Sequence, residues 1–269
     1  MTFQIPISFN RLHRSVRHAA RMIVICVAPF LLLIGPLAND ANSEALPKKI
    51  VLCRLANVPD QMVGGEILKA AYAKLGITVE FVDVEAKRAL ALSSAGDVDG
   101  EIQRVAAVAQ QYPALLQLKP AINYIEPAVF TTGLDFAVDG WSSIKDYQVG
   151  IVRGVGSSEA GTKGVAKVYR ATSLEELVRM LDRERFDLLV TDLFSGRVEI
   201  RRQQLESRIR PLLPPLERIY IYHYLHERHR ALVPRVEAVL RAMQESGELD
   251  RLRAKLVTQA LEKAGEPRG

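Results

Sequence analysis

Short apolar runs alternate with amphipathic segments from Lys49 onward, and this alternation limits the possible folds more than any other pattern in the sequence. "KIVLCRLA" and "ITVEFVDV" have the composition of strands, and "GGEILKAAYAKLG" between them repeats apolar residues at helical spacing until Gly76. A short helix, "AKRALALSSAG", precedes a third candidate strand, "DVDGEIQ". Strands separated by helices at this interval predict βαβ units and a mainly parallel sheet, and hence an α/β fold.

A second α/β unit begins near Tyr147. Its first strand, "YQVGIV", enters a glycine-rich turn, and we expect a helix to start at Ser157 or Ser158. "TSLEELVRMLDRERF" then predicts a helix with a capping box formed by Ser173 and Glu176. The buried strand "FDLLVTD" and a further helix complete this unit.

The segments that join and follow the two units indicate two lobes that share a hinge. "TTGLDFAVDGWSSI" lies between the units, and "PLLPPLERIYIYHYL" follows the second one. A helix that begins at Pro234 and stops at Gly247 leads to one more amphipathic helix. We expect a signal peptide at 1–43, a first lobe formed by 44–135 with 223–269, and a second lobe at 136–222.

The N-terminal segment has the order of charge and hydropathy that is typical of a secretory signal peptide. Arginines precede an apolar run from Met22 to Ala38, and small residues stand at Ala41 and Ser43, so we expect cleavage before Glu44. The alternative is an uncleaved membrane anchor, although the run is short for a bilayer and contains proline and glycine. Cleavage predicts a periplasmic protein that meets the membrane only through this segment.

The charge that remains after cleavage gives no reason to expect nucleic-acid binding. The segment carries four of the 36 basic and one of the 31 acidic residues, so its loss lowers the formal net charge from +5 to +2. Cys53 is then the one cysteine left, which excludes an internal disulfide. Its place inside "IVLCRL" predicts a buried strand residue.

The stretch "VGIVRGVGSSEAGTKG" is close to a nucleotide-binding loop, but its details argue against one. A P-loop places its lysine directly after the last glycine and before a hydroxyl residue, whereas Gly161, Thr162 and Lys163 have a different order. The dinucleotide-binding pattern fails as well, because Glu159 occupies the position of its third glycine. We therefore predict no nucleotide cofactor.

Two interpretations of the turn from Gly154 to Ser158 stay open. In the first, the backbone N–H groups and serine hydroxyls at a helix start bind an anion, and a carboxylate would suit such a site. In the second, the glycines only permit the turn and a serine caps the helix.

Three histidines in "HYLHERH" raise the question of a metal site. His223, His226 and His229 stand three apart, and Glu227 is the acid beside them. Because zinc and similar ions demand a closed set of converging ligands, we predict ordinary surface or hinge histidines and no metal.

Four stretches, in order, resemble a known family: "KRALALSSAGDVDGEIQR", "DYQVGIVRGVGSSEAG", "RMLDRERFDLLVTD" and "YHYLHERHRALVPRVEAVLRAMQESGEL". From about Lys49 to Leu256 the chain is similar to type II periplasmic solute-binding proteins, most of all to family 3, whose better-known members bind polar amino acids for ABC transporters. The resemblance implies a two-lobed α/β fold with a hinge of two crossover strands.

The resemblance also implies a ligand site between the lobes. In that family an arginine of the first lobe binds the ligand's carboxylate, the glycine turn of the second lobe assists, and an acid at a strand end binds the amino group. The residues that match here are Arg104 for the arginine, Gly154, Ser157 and Ser158 for the turn, and Asp192 for the acid, with Arg54 and Arg88 as further cleft-facing candidates. The segment "VAAVAQQYPALLQL" departs from the family, since it lacks the arginine usually found there.

These expectations imply a protein that closes on a small polar solute, an amino acid or a related small carboxylate, without chemistry or cofactor. An ABC permease or a membrane sensor would read the closed form. Two alternatives stay open. One is an enzyme on the same fold, such as a small-acid dehydratase or lyase, with Glu101 or His223 as acid or base. The other is an orphan sensory domain that has lost its ligand.

Overall fold

The structure, a computed structural model, describes residues 46–56 and 58–266. The predicted signal segment and its cleavage site lie outside these residues. Within the described part of the chain, no helix combines the length and the hydropathy that a membrane span requires.

The secondary structure follows the predicted alternation of strands and helices. The strands are β1 (Lys49–Leu55), β2 (Thr78–Val84), β3 (Gly100–Val105), β4 (Leu115–Gln117), β5 (Asn123–Ile125), β6 (Pro127–Thr131), β7 (Gln148–Val152), β8 (Lys167–Ala171), β9 (Leu188–Asp192), β10 (Arg210–Leu212) and β11 (Ile219–His226). The α-helices are α1 (Pro59–Ala73), α2 (Ala86–Ala95), α3 (Val108–Gln111), α4 (Gly156–Gly161), α5 (Leu174–Asp182), α6 (Leu193–Arg202), α7 (Val233–Glu245) and α8 (Glu248–Ala264).

The strands form two separate sheets. The first has the order β2-β1-β3-β11-β4, with β5 paired to β11, and the second has the order β10-β6-β9-β7-β8. Each sheet contains the predicted parallel βαβ core, β2-β1-β3 in one and β8-β7-β9 in the other. Both are nevertheless mixed, because the strands next to the connections, β11 and β6, run antiparallel to their neighbours.

Two connections between the sheets run side by side and form the hinge. The chain leaves the first sheet after Ile125, enters the second at Pro127, and returns between Leu212 and Ile219. Residues at the two crossings pair with each other, since β5 and β11 are antiparallel neighbours. This is the two-lobed α/β fold with two crossover strands that was predicted.

The lobe boundaries expected from the sequence, 135/136 and 222/223, stay a prediction. The strands that form each sheet support crossings at lower residue numbers than these boundaries. β6 already belongs to the second sheet, and β11 enters the first sheet at Ile219. We propose crossings near Glu126 and between Leu212 and Ile219.

The first residues of α5 and α4 show where the local sequence was sufficient to predict a helix start. Ser173 caps α5, and its hydroxyl accepts the backbone N–H of Glu176 at 3.2 Å, as the capping box predicts. The expected start of α4 at Ser157 or Ser158 is wrong by one or two residues. The helix begins at Gly156 behind Val155, without a side-chain cap.

Helix α6 joins the two lobes by packing. It starts directly after β9 of the second sheet, yet its residues Phe194 and Val198 belong to the apolar core of the first lobe. They lie there with residues of α1 and α8, such as Val63 and Leu249. The separate core of the second sheet has apolar clusters on both of its faces.

Candidate functional site

Asp192 lies where β9 ends and α6 begins. Its Oδ1 accepts the backbone N–H of Glu126 at 2.9 Å, and its Oδ2 accepts that of Ser195 at 2.9 Å. Burial raises the pKa of the Asp192 carboxyl, while these two N–H groups and the charge of Arg253 oppose the rise. Asp192 therefore caps a helix and fixes a hinge strand, and its contact with a ligand stays a prediction.

Asp60 is a second half-buried carboxylate, contributed by the first lobe, and it lies close enough to Asp192 for their charges to interact. It follows Pro59 in the first turn of α1, and Gln103 Nε2 donates to its Oδ2 at 2.7 Å and to its backbone oxygen at 3.0 Å. Burial raises the pKa of Asp60, the negative charge of Asp192 raises it further, and Gln103 and Arg104 oppose the shift. The sequence pattern alone did not predict Asp60 as a site residue, although an acid at the start of the helix that follows the first strand is suited to a site at the carboxyl ends of strands.

A chain of hydrogen bonds joins Asp60 to the last helix through the hinge. Asn123 Nδ2 donates to Gln103 Oε1 at 3.3 Å, and Arg253 Nε donates to Asn123 Oδ1 at 2.8 Å. Arg253 also donates from Nη1 to the Tyr124 hydroxyl at 2.9 Å. Asn123 and Tyr124 belong to β5, so the polar groups of α1, the hinge and α8 form one network.

Arg104, the residue expected to bind a ligand carboxylate, is paired with a carboxylate of its own lobe. Its Nη2 lies 2.7 Å from Glu101 Oε2, and its Nε donates to the same oxygen at 2.8 Å. Glu101 is 1% exposed and also accepts the Ser93 hydroxyl at 2.7 Å. Burial raises the pKa of Glu101, and Arg104 and Ser93 oppose that rise. A ligand carboxylate would therefore have to share Arg104 with Glu101.

The glycine turn has the conformation that the sequence indicates. Gly154 has φ +81°, which favours glycine, and Ser158 is buried while Ser157 is half-buried. The N–H of Gly154 donates at 3.3 Å to Oε1 of Glu159, and Oε2 of Glu159 pairs with Nε of Arg170 at 3.0 Å. The Glu159 side chain of α4 thus already accepts one of the N–H groups that a bound anion would contact.

The two further arginines, Arg54 and Arg88, belong to other surroundings than the two acids. Arg54 forms a two-pronged ion pair with Asp83 on the neighbouring strand β2, at 2.6 and 2.7 Å, and covers the Phe81 ring at 4.9 Å. Arg88 is an exposed residue of α2. The structure gives neither residue a contact with Asp60 or Asp192, and their role as ligand contacts stays a prediction.

His223, one of the two residues considered for catalysis, is a buried core residue. Its Nδ1 lies 2.8 Å from the carbonyl oxygen of Glu101, and its Nε2 lies 2.8 Å from the Tyr72 hydroxyl. Because a carbonyl can only accept, Nδ1 carries the proton and Nε2 accepts from Tyr72. Burial lowers the pKa of His223 to about 4, so the ring is neutral near pH 7.

The other two histidines belong to different networks. His229 Nε2 lies 2.6 Å from Asp99 Oδ1, and His226 Nδ1 accepts the backbone N–H of Arg228 at 3.2 Å. Asp99 has a lowered pKa because the Val51 N–H, Arg228 and His229 surround its carboxylate and outweigh its burial. In the part of the chain that the structure covers, no three metal-binding side chains converge.

Comparison with known proteins identifies the fold. No protein-family model matches the chain. An uncharacterized protein from Shewanella oneidensis is 24% identical over 189 residues, which cover 67% of this chain and 70% of that protein.

Solved structures match over most of the chain. An amino acid ABC transporter substrate-binding protein from Streptococcus pneumoniae, bound to L-arginine, gives a TM-score of 0.63 at 16% identity and covers 82% of this chain and 97% of its own. A histidine kinase sensor domain with similarity to periplasmic binding proteins gives a TM-score of 0.63 at 19% identity, over 78% of this chain and 96% of its own. With its two mixed sheets and paired crossings, this chain has the two-lobed fold of the type II periplasmic binding proteins.

Proposed function

We propose that the protein is an extracytoplasmic solute-binding protein that captures a small polar solute between its lobes, and that the solute carries a positively charged group. One observation carries the proposal. Asp60 of the first lobe and Asp192 of the second are both half-buried, and the charge of Asp192 raises the pKa of Asp60.

A cation between these acids would remove an unfavourable interaction. Two carboxylates in a region of low dielectric repel each other, and each has also lost the water that would stabilise its charge. An ammonium or guanidinium group close to both would add an attraction to each carboxylate and so offset both costs. We therefore expect the solute's positive group to lie between the end of β9 and the start of α1.

An amino acid would satisfy this site and also explain the groups around it. Its ammonium group would meet Asp60 and Asp192, and its carboxylate would face Arg104 or the turn at Gly154, Ser157 and Ser158. Arg104 already neutralises Glu101, so an amine without a carboxylate is an equally good fit. The observations thus support a positively charged group on the solute more strongly than they support a carboxylate.

Closure of the lobes would couple to binding through α6. This helix is capped by Asp192 and packs on α1, which carries Asp60 in its first turn. A hinge rotation that shifts α6 along α1 changes the separation of the two carboxylates. A cation that binds both would therefore favour the closed form, since a ligand shifts the population only through different affinity for two states.

The structures of similar fold and the N-terminal pattern support a proposal for the partner and the location. The structures of similar fold include a substrate-binding protein of an ABC transporter and a sensor domain of a histidine kinase. We propose that this protein serves a permease or a sensor in the same manner, in the periplasm, after removal of residues 1–43.

A second candidate is an orphan sensory domain, and two observations favour it. The Glu159 carboxylate already accepts the N–H of Gly154, and the Glu101 carboxylate already forms an ion pair with Arg104. An enzyme has less support, because Glu101 and His223 both hold the core together through hydrogen bonds and are buried.

A thermal-shift screen tests the proposal, since a ligand that binds only the folded state raises its melting temperature. The panel contains L-arginine, L-lysine and putrescine, with succinate as a solute that lacks a positive group. We expect stabilisation by at least one of the first three solutes and none by succinate. Asp60→Asn should abolish it, and Asp146→Asn, at an exposed site, should not. Stabilisation by succinate that survives Asp60→Asn would contradict the proposal, and no response to any charged solute would favour the orphan domain.

A further inference from the structure

A cavity of about 530 Å³ lies behind the hinge, within the first lobe. Its walls come from the segment between β4 and β5, from β5 and β11, and from α7 and α8. The volume falls inside the range of roughly 300 to 1,000 Å³ that is usual for small-molecule sites. Because these elements all belong to one lobe or to the hinge strands, the cavity does not require closure of the lobes.

The charged groups of this cavity, which we call the hinge cavity, are mostly cations. Lys119, Arg241 and Arg253 line it, and Asp250 is the one acid that lines it. Among the residues that the structure describes, none of these three cations forms an ion pair with a carboxylate within 4.0 Å. Arg253 instead bonds the neutral side chains of Asn123 and Tyr124. The cavity therefore has positive charge that no described residue neutralises by direct contact.

Tyrosine rings form the other part of the wall. Tyr124, Tyr220 and Tyr222 line the cavity, and Tyr220 is 55% exposed. The guanidinium carbon of Arg253 lies 3.7 Å from the centre of the Tyr124 ring, and Tyr220 meets the same ring edge-on at 6.5 Å. A flat guanidinium already stacks on one ring, and the exposed ring of Tyr220 offers a similar surface to a flat ligand.

We propose that the hinge cavity binds a small organic anion attached to a planar ring. The anionic group, a carboxylate or a phosphate, contacts Lys119, Arg241 and the free side of the Arg253 guanidinium. The ring packs against Tyr220 and Tyr222. This site is separate from the one between Asp60 and Asp192 and does not depend on that proposal.

Such a ligand would touch both crossings of the hinge. Tyr124 of β5 and Tyr220 of β11 are direct partners across the two antiparallel strands. The same ligand would contact α8 through Arg253, which bonds the β5 residue Asn123. Occupation of the hinge cavity therefore favours one arrangement of the crossings.

Calorimetric titration of the full folded chain with four probes tests the proposal. Phenyl phosphate and benzoate carry an anion and a ring, inorganic phosphate carries the anion alone, and cyclohexanecarboxylate replaces the flat ring with a puckered one. We expect phenyl phosphate or benzoate to bind, and the preferred one identifies the anionic group. Phenyl phosphate should bind more tightly than inorganic phosphate, and benzoate should bind more tightly than cyclohexanecarboxylate. The proposal would be overturned if neither aromatic probe bound, or if each aromatic probe bound only as tightly as the matched probe without a flat ring.

Variants at exposed positions place the bound probe. Lys119→Gln and Arg241→Gln should each weaken binding about fivefold, because each removes one surface charge from the ligand's surroundings. Arg235→Gln, an exposed arginine of α7 that does not line the cavity, is the matched control and should leave affinity unchanged. Tyr220→Leu should weaken binding and Tyr220→Phe should not. If the two charge variants bind as tightly as the control, the anion binds elsewhere and the assignment is wrong.

Discussion

Asp60 and Asp192 belong to different lobes, and yet the negative charge of Asp192 raises the pKa of Asp60. Each carboxylate has local partners, Gln103 for Asp60 and two backbone N–H groups for Asp192. These partners do not cancel the effect of burial, since the pKa of both groups stays above its ordinary value. Two folded halves that meet at a pair of acids store an unfavourable interaction that a cationic ligand can relieve.

The first prediction concerns the pH dependence of stability at Asp60. Its pKa is raised, so between the ordinary and the raised value the folded protein holds a proton that the unfolded chain has lost. Stability from this group therefore falls as the pH rises through that interval. The melting temperature of Asp60→Asn, relative to the natural protein, should increase between about pH 4 and about pH 7, since the pKa of Asp60 is raised from 3.8 to about 7. Asp146→Asn should show no such trend, and an equal trend in both variants would contradict the assignment.

The second prediction concerns His223, whose pKa shift has the opposite sign. Burial lowers its pKa from 6.5 to about 4, so the unfolded chain binds a proton in this interval that the folded protein does not. Stability therefore falls as the pH drops through that interval, by up to roughly 3 kcal/mol from this group. Denaturant unfolding of His223→Gln should show a smaller loss between pH 6.5 and 4, and His226→Gln should behave like the natural protein. A full loss in His223→Gln would show that another group titrates.

The third prediction concerns the ion pair of Arg104 with Glu101. Removal of the arginine by Arg104→Ala leaves a carboxylate that is 1% exposed without its counter-charge, and we expect destabilisation of about 3–5 kcal/mol. Arg170→Ala breaks the more exposed pair with Glu159 and should cost below about 1 kcal/mol. Chemical denaturation measures both. Similar small losses in the two variants would indicate that Arg104 is free to serve a ligand.

Much of the fold could be predicted because its signals are local. The alternation of strands and helices, the cap at Ser173 and the stop at Gly247 each depend on a few neighbouring residues. Strict alternation along β11 would place Tyr220, Tyr222 and Tyr224 on one face. The exposure of these rings nevertheless differs, because Tyr224 packs into an apolar cluster and is fully buried, whereas Tyr220 lies at the hinge end of β11 and is 55% exposed.

The candidate site was harder to predict because its residues are distant in sequence. An acid in the first turn of a helix, such as Asp60, is ordinary, since the helix dipole favours it there. Asp60 becomes a candidate site residue only because the fold brings it near Asp192 of the other lobe, and no local sequence pattern predicts that proximity. Arg253 was missed for the same reason, because its contacts with Asn123 and Tyr124 form only when α8 packs on the hinge.

The most direct test of the central claim is the number of protons released when an ammonium-bearing solute binds. L-arginine, or whichever cationic solute the thermal screen identifies, is titrated calorimetrically near neutral pH in two buffers of different ionisation enthalpy. A cation between Asp60 and Asp192 stabilises their ionised forms, so binding should release protons, and the release should shrink in Asp60→Asn. Proton uptake on binding would contradict the account. So would an Asp60→Asn variant that binds the solute with the same affinity and releases the same number of protons as the natural protein.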